Sequence, residues 1–117
     1  MESDQVISVH EYELKPGVAG PELEAAFREA AGRGLFELPG LVGYQLVKGI
    51  KGARSGRYAV LWVYENRAAW ERLWGTADEP TTKEGYPQKW RTWEEELLAP
   101  LLSQEPDEIR YTSYAAL

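Results

Sequence analysis

Few side chains in this sequence can do chemistry near neutral pH. His10 is the single histidine, and there is no cysteine. An imidazole titrates near neutrality, so His10 could act as a general base that draws a proton from a phenol. The plainer reading is a histidine hydrogen-bonded on a half-buried strand face. Rings with polar tips stand at Tyr12, Tyr44, Tyr58, Trp62 and Tyr64. They could stack on a planar substrate and position its oxygens, each ring pair contributing about 0.5–1.5 kcal/mol beyond simple burial. The same rings could equally be interior packing with satisfied hydroxyls. Without cysteine, disulfides, thiolate catalysis and thiolate-bound metal are excluded. Glu11 and Glu13 lack a matching His/Asp cluster, so no metal site is expected. Glu94, Glu95 and Glu96 are adjacent carboxylates, but three consecutive residues span most of a helical turn and read as a solvated face. No glycine-rich phosphate loop or G-x-S-x-G pattern occurs.

These residues need elements to position them. Gln5–Leu14 alternates at period two and predicts a strand, ended by Lys15-Pro16-Gly17. Pro21 suits the first turn of a helix, in which Leu23, Phe27, Ala30 and Ala31 recur at helical spacing until Gly32 and Gly34 stop it. Leu41–Lys48 and Arg57–Tyr64 predict two further strands joined by a flexible loop, Gly49–Gly56. Asn66 caps a short helix carrying Ala69, Trp70, Leu73 and Trp74. Gly75–Tyr86 holds few core formers and predicts an irregular excursion, with the options of a lid or an extra dimer contact. Pro87 starts a helix with Trp90, Trp93, Leu97 and Leu101 on one stripe, which Pro100 should kink or end. Trp70, Trp74, Trp90 and Trp93 read as core. Ile109–Ala116 predicts a fourth strand. The order β-α-β-β-(α)-α-β predicts an α+β, ferredoxin-like βαββαβ sandwich, as one domain over residues 1–117.

The bulk properties agree. The chain has 117 residues and a formal charge of −6, with five Trp and seven Tyr against two Phe. Seven basic and eight acidic residues precede Leu61, so the acidity is concentrated in the second half. No basic stripe is present to neutralise phosphates, which argues against nucleic acid and anionic membranes as partners. The start, MESDQVISV, lacks a basic stretch followed by an apolar run, and no run is long enough to span a bilayer. A cytoplasmic location is the expectation.

Right-handed crossovers would place both long helices on one face of the sheet and leave the other bare. Sorting by size assigns Ile7, Val9, Ala59, Leu61 and Val63 to the helices. It leaves Ser8, His10, Tyr12, Tyr58, Val60, Trp62 and Tyr64 on the open face. An open aromatic face is larger than a monomer usually exposes, which predicts a two-fold homodimer with a ligand cleft at its edge.

Three stretches carry a family likeness: KPG with its following acidic helix (Lys15–Ala31), LPGLVGYQLVKG (Leu38–Gly49) and GRYAVLWVYENRAAW (Gly56–Trp70). Together they resemble the antibiotic biosynthesis monooxygenase-like family of the dimeric α+β barrel superfamily. The resemblance implies a homodimer of ferredoxin-like protomers. It also implies oxygenation of a small aromatic or polyketide-like compound by O2 with no metal, flavin or other cofactor. His10 would then be the base, with Tyr12, Tyr44, Tyr58, Trp62 and Tyr64 holding the substrate. Where relatives commonly carry Trp at the end of the third strand, this chain has Tyr64. The haem-cleaving branch uses a histidine on the next helix, whereas His10 lies on the first strand. The competing expectation is a non-enzymatic small-molecule-binding or stress-related dimer. A purely structural dimer, with every ring buried, is the third.

Overall fold

A computed structural model describes residues 4–117; the first three residues, part of the stretch read above for a leader, lie outside it. The alternating segments form strands β1 (Val6–Tyr12), β2 (Leu41–Lys48), β3 (Tyr58–Tyr64) and β4 (Arg110–Ala115). The periodic segments form helices α1 (Gly20–Gly32), α2 (Arg67–Trp74) and α3 (Gln88–Thr92). All four strands join one antiparallel sheet in the order β2-β3-β1-β4. With helices in the first and last crossovers, this is the expected ferredoxin-like α+β fold.

The local signals act as their chemistry suggests. Asn66 Oδ1 accepts from the Ala69 N–H at 2.8 Å and starts α2. The Ala19 N–H donates to the Glu22 carboxylate at 2.8 Å at the head of α1, which carries Pro21 in its first turn. Helix α3 runs on as a π-helical stretch, Trp93–Leu98, then a 3-10 turn, Ala99–Leu101, that contains Pro100 and ends the helical run. The Gly49–Gly56 loop is less free than its composition suggests. Arg54 reaches back from it to both carboxylate oxygens of Glu13 at 3.0 Å and to the Tyr58 carbonyl at 2.9 Å.

The faces of the sheet are the reverse of the size-based assignment. Tyr12, Tyr58, Val60, Trp62 and Tyr64 are all buried, and Ser8 with them. The Trp62 ring lies 4.9 Å from both Phe36 and Trp90 and 6.1 Å from Phe27 of α1, so the aromatic face is the one the helices cover. Ile7, Val9, Ala59, Leu61 and Val63 are only half-buried and lie on the opposite, outer face. The physical reason is volume. Two regular helices, one of them short, and one irregular helical run must fill the space above four strands at crystal-like density, and large rings fill it where small aliphatics would leave voids. Interlocked edge-to-face rings also suit an interior better than an open surface. Two of the polar tips are accommodated locally: the Tyr58 hydroxyl donates to Glu24 at 2.6 Å, and the Tyr64 hydroxyl accepts from Trp74 Nε1 at 3.0 Å. Gly20 permits the first of these, because a Cβ there would collide with the Tyr58 ring.

Candidate functional site

The period-two alternation of β1 points Ser8 and His10 inward, and the register with β4 sets Ser113 and Tyr111 beside them. The two serine hydroxyls share a hydrogen bond of 2.7 Å. Helix α2 brings Trp70 and Trp74 over this end of the sheet, and α3 brings Trp90. Between these elements lies a cavity of about 270 Å3. Its outer wall is the 75–86 segment, which folds back on itself. Gly75 takes φ +79° and pairs with Pro80 in an isolated bridge, and the Thr81 N–H donates to the Trp74 carbonyl at 2.8 Å. Thr76, Pro80, Thr81 and Tyr86 of this segment face the cavity, so it walls a site within one protomer.

The cavity walls are aromatic. Trp74 stands nearly perpendicular to Tyr86, at 87° and 5.4 Å, and inclined to Trp90 at 5.2 Å. His10 lies edge-on to Trp62, Trp90 and Tyr111 at 6.0, 6.1 and 5.8 Å. Its Nδ1 is enclosed without a hydrogen-bond partner. Burial lowers the His10 pKa to about 4, so the ring is neutral at pH 7. The near-neutral titration that suggested a base is therefore absent.

A carboxylate provides it instead. Glu94 lines the cavity and is only 7% exposed. Burial raises its pKa to about 7, opposed by a hydrogen bond from the Trp90 side chain and reinforced by the Asp107 charge. Glu94 makes no ion pair among the described residues. A carboxyl poised at about 7 exchanges protons at neutral pH far better than an ordinary one. The sequence did carry a signal for it. Glu94 follows Trp90 by four residues and so shares its helical face, whereas reading the three glutamates as a block hides that relation. Its place at the start of a π-helical stretch, a form that recurs at functional sites, is a second sign that only structure reveals.

The six residues singled out from sequence do not converge on one site. His10 and Tyr64 line the cavity. Trp62 is fully buried beneath His10 and does not line it. Tyr12 and Tyr58 lie at the other end of β1 and β3, beside a separate hollow that also meets Lys48 and Arg57. The Tyr12 hydroxyl is buried and unpartnered, and burial raises its pKa far above the ordinary value. Tyr44, on the edge strand β2, is 41% exposed and packs at 5.0 Å on Phe36. Among the described residues no group of three or more His, Cys, Asp or Glu could hold a metal ion. No helix is long and apolar enough to cross a membrane.

The family model for antibiotic biosynthesis monooxygenase matches residues 5–77. Among solved structures, SnoaB, a cofactor-independent oxygenase from Streptomyces nogalater, is 18% identical with a TM-score of 0.57, covering 98% of this chain and 95% of its own. A Caulobacter crescentus protein assigned to the antibiotic biosynthesis monooxygenases is 17% identical with a TM-score of 0.64, covering 98% and 92%. A dimeric ferredoxin-like protein of unknown function from Jannaschia sp. CCS1 is 16% identical with a TM-score of 0.61, covering 96% and 99%. At these identities the likeness is one of fold. No protein of curated function matches the sequence.

Proposed function

The chain belongs to the antibiotic biosynthesis monooxygenase family, and from that premise we propose that it oxygenates a small phenolic aromatic compound within the cavity beneath the 75–86 segment. The observation that carries this reading is the buried carboxyl of Glu94, held at about 7 in an aromatic-walled cavity. Such a group takes a proton from a phenolic substrate with a much smaller mismatch than a carboxyl at 4.5. Proton abstraction thus passes to Glu94, and His10 becomes the neutral hydrogen-bonding group beside the substrate. Tyr64 and Trp90 flank the ring and exclude water.

The electrons come from the substrate. Glu94 accepts one proton from the activated CH2 carbon, leaving a phenolate anion delocalised onto that carbon, and this anion gives one electron to O2. Recombination of the radical pair forms the C–O bond at the same carbon, and the proton held by Glu94 passes to the peroxide to give a hydroperoxide. Loss of water then leaves a carbonyl. One oxygen atom of O2 enters the product and the other leaves as water with the two hydrogens of the CH2 group, so no outside reductant is required. Anthrones and related hydroxyarenes have this reactivity.

The assembly reading moves with the faces. We infer that two copies meet through the outer aliphatic face, Ile7, Val9, Leu61 and Val63, in a dimeric α+β barrel. Burying a half-exposed apolar face in this way is the usual solution for a two-fold pair, and the Jannaschia structure is described as dimeric. Each protomer would then keep its own cavity on the far side of the sheet.

The test is O2 uptake with a panel of anthrones and naphthols. The wild-type chain should accelerate uptake by at least one member, and Glu94→Gln should lower that rate about 100-fold or more. Uptake at the uncatalysed rate with every member, or an undiminished Glu94→Gln variant, would overturn the assignment.

A further inference from the structure

The charge of the cavity wall narrows what it can hold. Its ionisable members, besides the neutral His10 and three tyrosines, are the carboxyls of Glu94 and Asp107; no lysine or arginine lines it. Two cations lie near it without lining it. Arg91 is half-buried on α3 with its Nε 3.6 Å from Glu95, and Lys83, exposed on the 83–85 turn, opposes part of the rise in the Glu94 pKa. An anionic ligand would therefore meet two carboxyls at the wall, with the Lys83 charge as partial compensation only.

Asp107 is exposed at the rim, on the 106–108 turn just before β4, whereas Glu94 is buried. Tyr86 links the two positions: the charges of Glu94 and Asp107 both act on its hydroxyl and, with burial, raise its pKa. Tyr86 and Trp74 meet at a right angle, with Trp90 inclined behind them. A perpendicular ring pair lining a cavity beside a carboxylate offers an aromatic face on which an ammonium group can be held by cation–π attraction. The enclosed, unpartnered His10 Nδ1 at the inner end shows that polar capacity remains unused there as well.

We propose that the corner formed by Trp74, Tyr86 and Asp107 is a subsite for a positively charged amine, and that the ligand of this cavity is an aromatic compound bearing an alkylammonium group. The proposal rests on the cavity being the substrate site but not on the oxygenation chemistry. The ammonium occupies the rim, and the aromatic body extends inward past Trp90 toward Glu94 and His10. A fixed positive charge at the rim also lowers the energy of a phenolate forming at the inner end.

The experiment compares three probes of one shape class, benzyltrimethylammonium, benzyl alcohol and benzoate, by quenching of tryptophan fluorescence and by calorimetry. Trp70, Trp74 and Trp90 all line the cavity and report its occupancy. The expected order is cation, then alcohol, then benzoate, with the cation at least about tenfold tighter than the alcohol. Asp107→Asn, an exposed and isosteric change, should reduce that ratio severalfold. Asp107→Lys should reverse it in favour of benzoate. Equal binding of cation and alcohol, tightest binding of benzoate, or an unchanged ratio in both variants would overturn the proposal. Cation-selective binding without O2 uptake on any substrate would sink the oxygenase reading and leave this one standing. Uptake on neutral phenols without cation preference would do the opposite.

Discussion

Glu94 and His10 are buried near one another with opposite consequences for stability, and together they should conceal each other. The Glu94 carboxyl rises from 4.5 to about 7 in the folded chain, with desolvation as the main cause. Between those values the unfolded chain has lost the proton that the folded chain keeps, so stability falls as pH rises through the window. At about 1.4 kcal/mol per unit, the whole interval amounts to roughly 3 kcal/mol. His10 falls from 6.5 to about 4 by burial. Although part of the residue's surface stays open, its Nδ1 is enclosed. Between 4 and 6.5 the unfolded chain holds a proton that the folded chain lacks, so stability rises with pH, again by roughly 3 kcal/mol at most. The two windows overlap from 4.5 to 6.5, where the slopes cancel. The groups acting on Glu94 are Trp90, Asp107, Lys83 and Glu95; the lowering at His10 comes from burial, among the rings of Trp62, Trp90 and Tyr111. The assay is urea unfolding at half-unit steps from pH 4.5 to 7.5. Wild type should be nearly flat to 6.5 as far as these two groups are concerned. Glu94→Gln should gain about 2–3 kcal/mol of stability from pH 4.5 to 6.5, and His10→Gln should lose a similar amount over the same range. Parallel profiles for all three proteins would refute the reasoning, because neither group would then be titrating differently on folding.

Other consequences can be tested directly. Trp62→Ala should cost about 3–5 kcal/mol in chemical unfolding, since the ring is fully buried among Phe27, Phe36 and Trp90. Tyr58→Phe, which strands Glu24 without its donor at a partly exposed site, should cost only about 1 kcal/mol by the same measurement. Sedimentation of the 13.3 kDa chain at micromolar concentration should give about 27 kDa, and Leu61→Lys on the outer face should return it to a monomer. A stable wild-type monomer would remove the argument for that interface.

The order of elements was legible because each is marked by strong local chemistry: alternation along β1 and β3, proline at the head of α1, an asparagine cap on α2. Which side of the sheet faces inward was not. In β3 both sets, Tyr58, Val60, Trp62, Tyr64 and Ala59, Leu61, Val63, are apolar, so alternation defines two faces without ranking them. The deciding quantity is the volume between sheet and helices, which depends on residues far away in sequence, Phe27, Phe36, Trp90 and Trp93. His10 was found because histidine is conspicuous, yet its titration depends on three rings contributed by separate elements. Glu94 was passed over because its neighbours Glu95 and Glu96 are exposed, and composition averages over a helix whose sides differ. The cavity itself depends on the 75–86 segment, whose sequence says turn and little else.

The helical run after Pro87 counts in fours. Trp90, Glu94 and Leu98 are all buried and four residues apart. An α-helix closes a turn in 3.6 residues, so a line of fours would drift about 40° at each step. The π-helical stretch from Trp93 to Leu98 lengthens the turn and takes up part of that drift. Shortening this stretch by a single residue would restore the tighter winding, and Leu98 would swing away from the side on which Trp90 and Glu94 lie. The one extra residue works as a phase adjustment, holding a proton-carrying side chain and the hydrophobic residue beyond it on a common line.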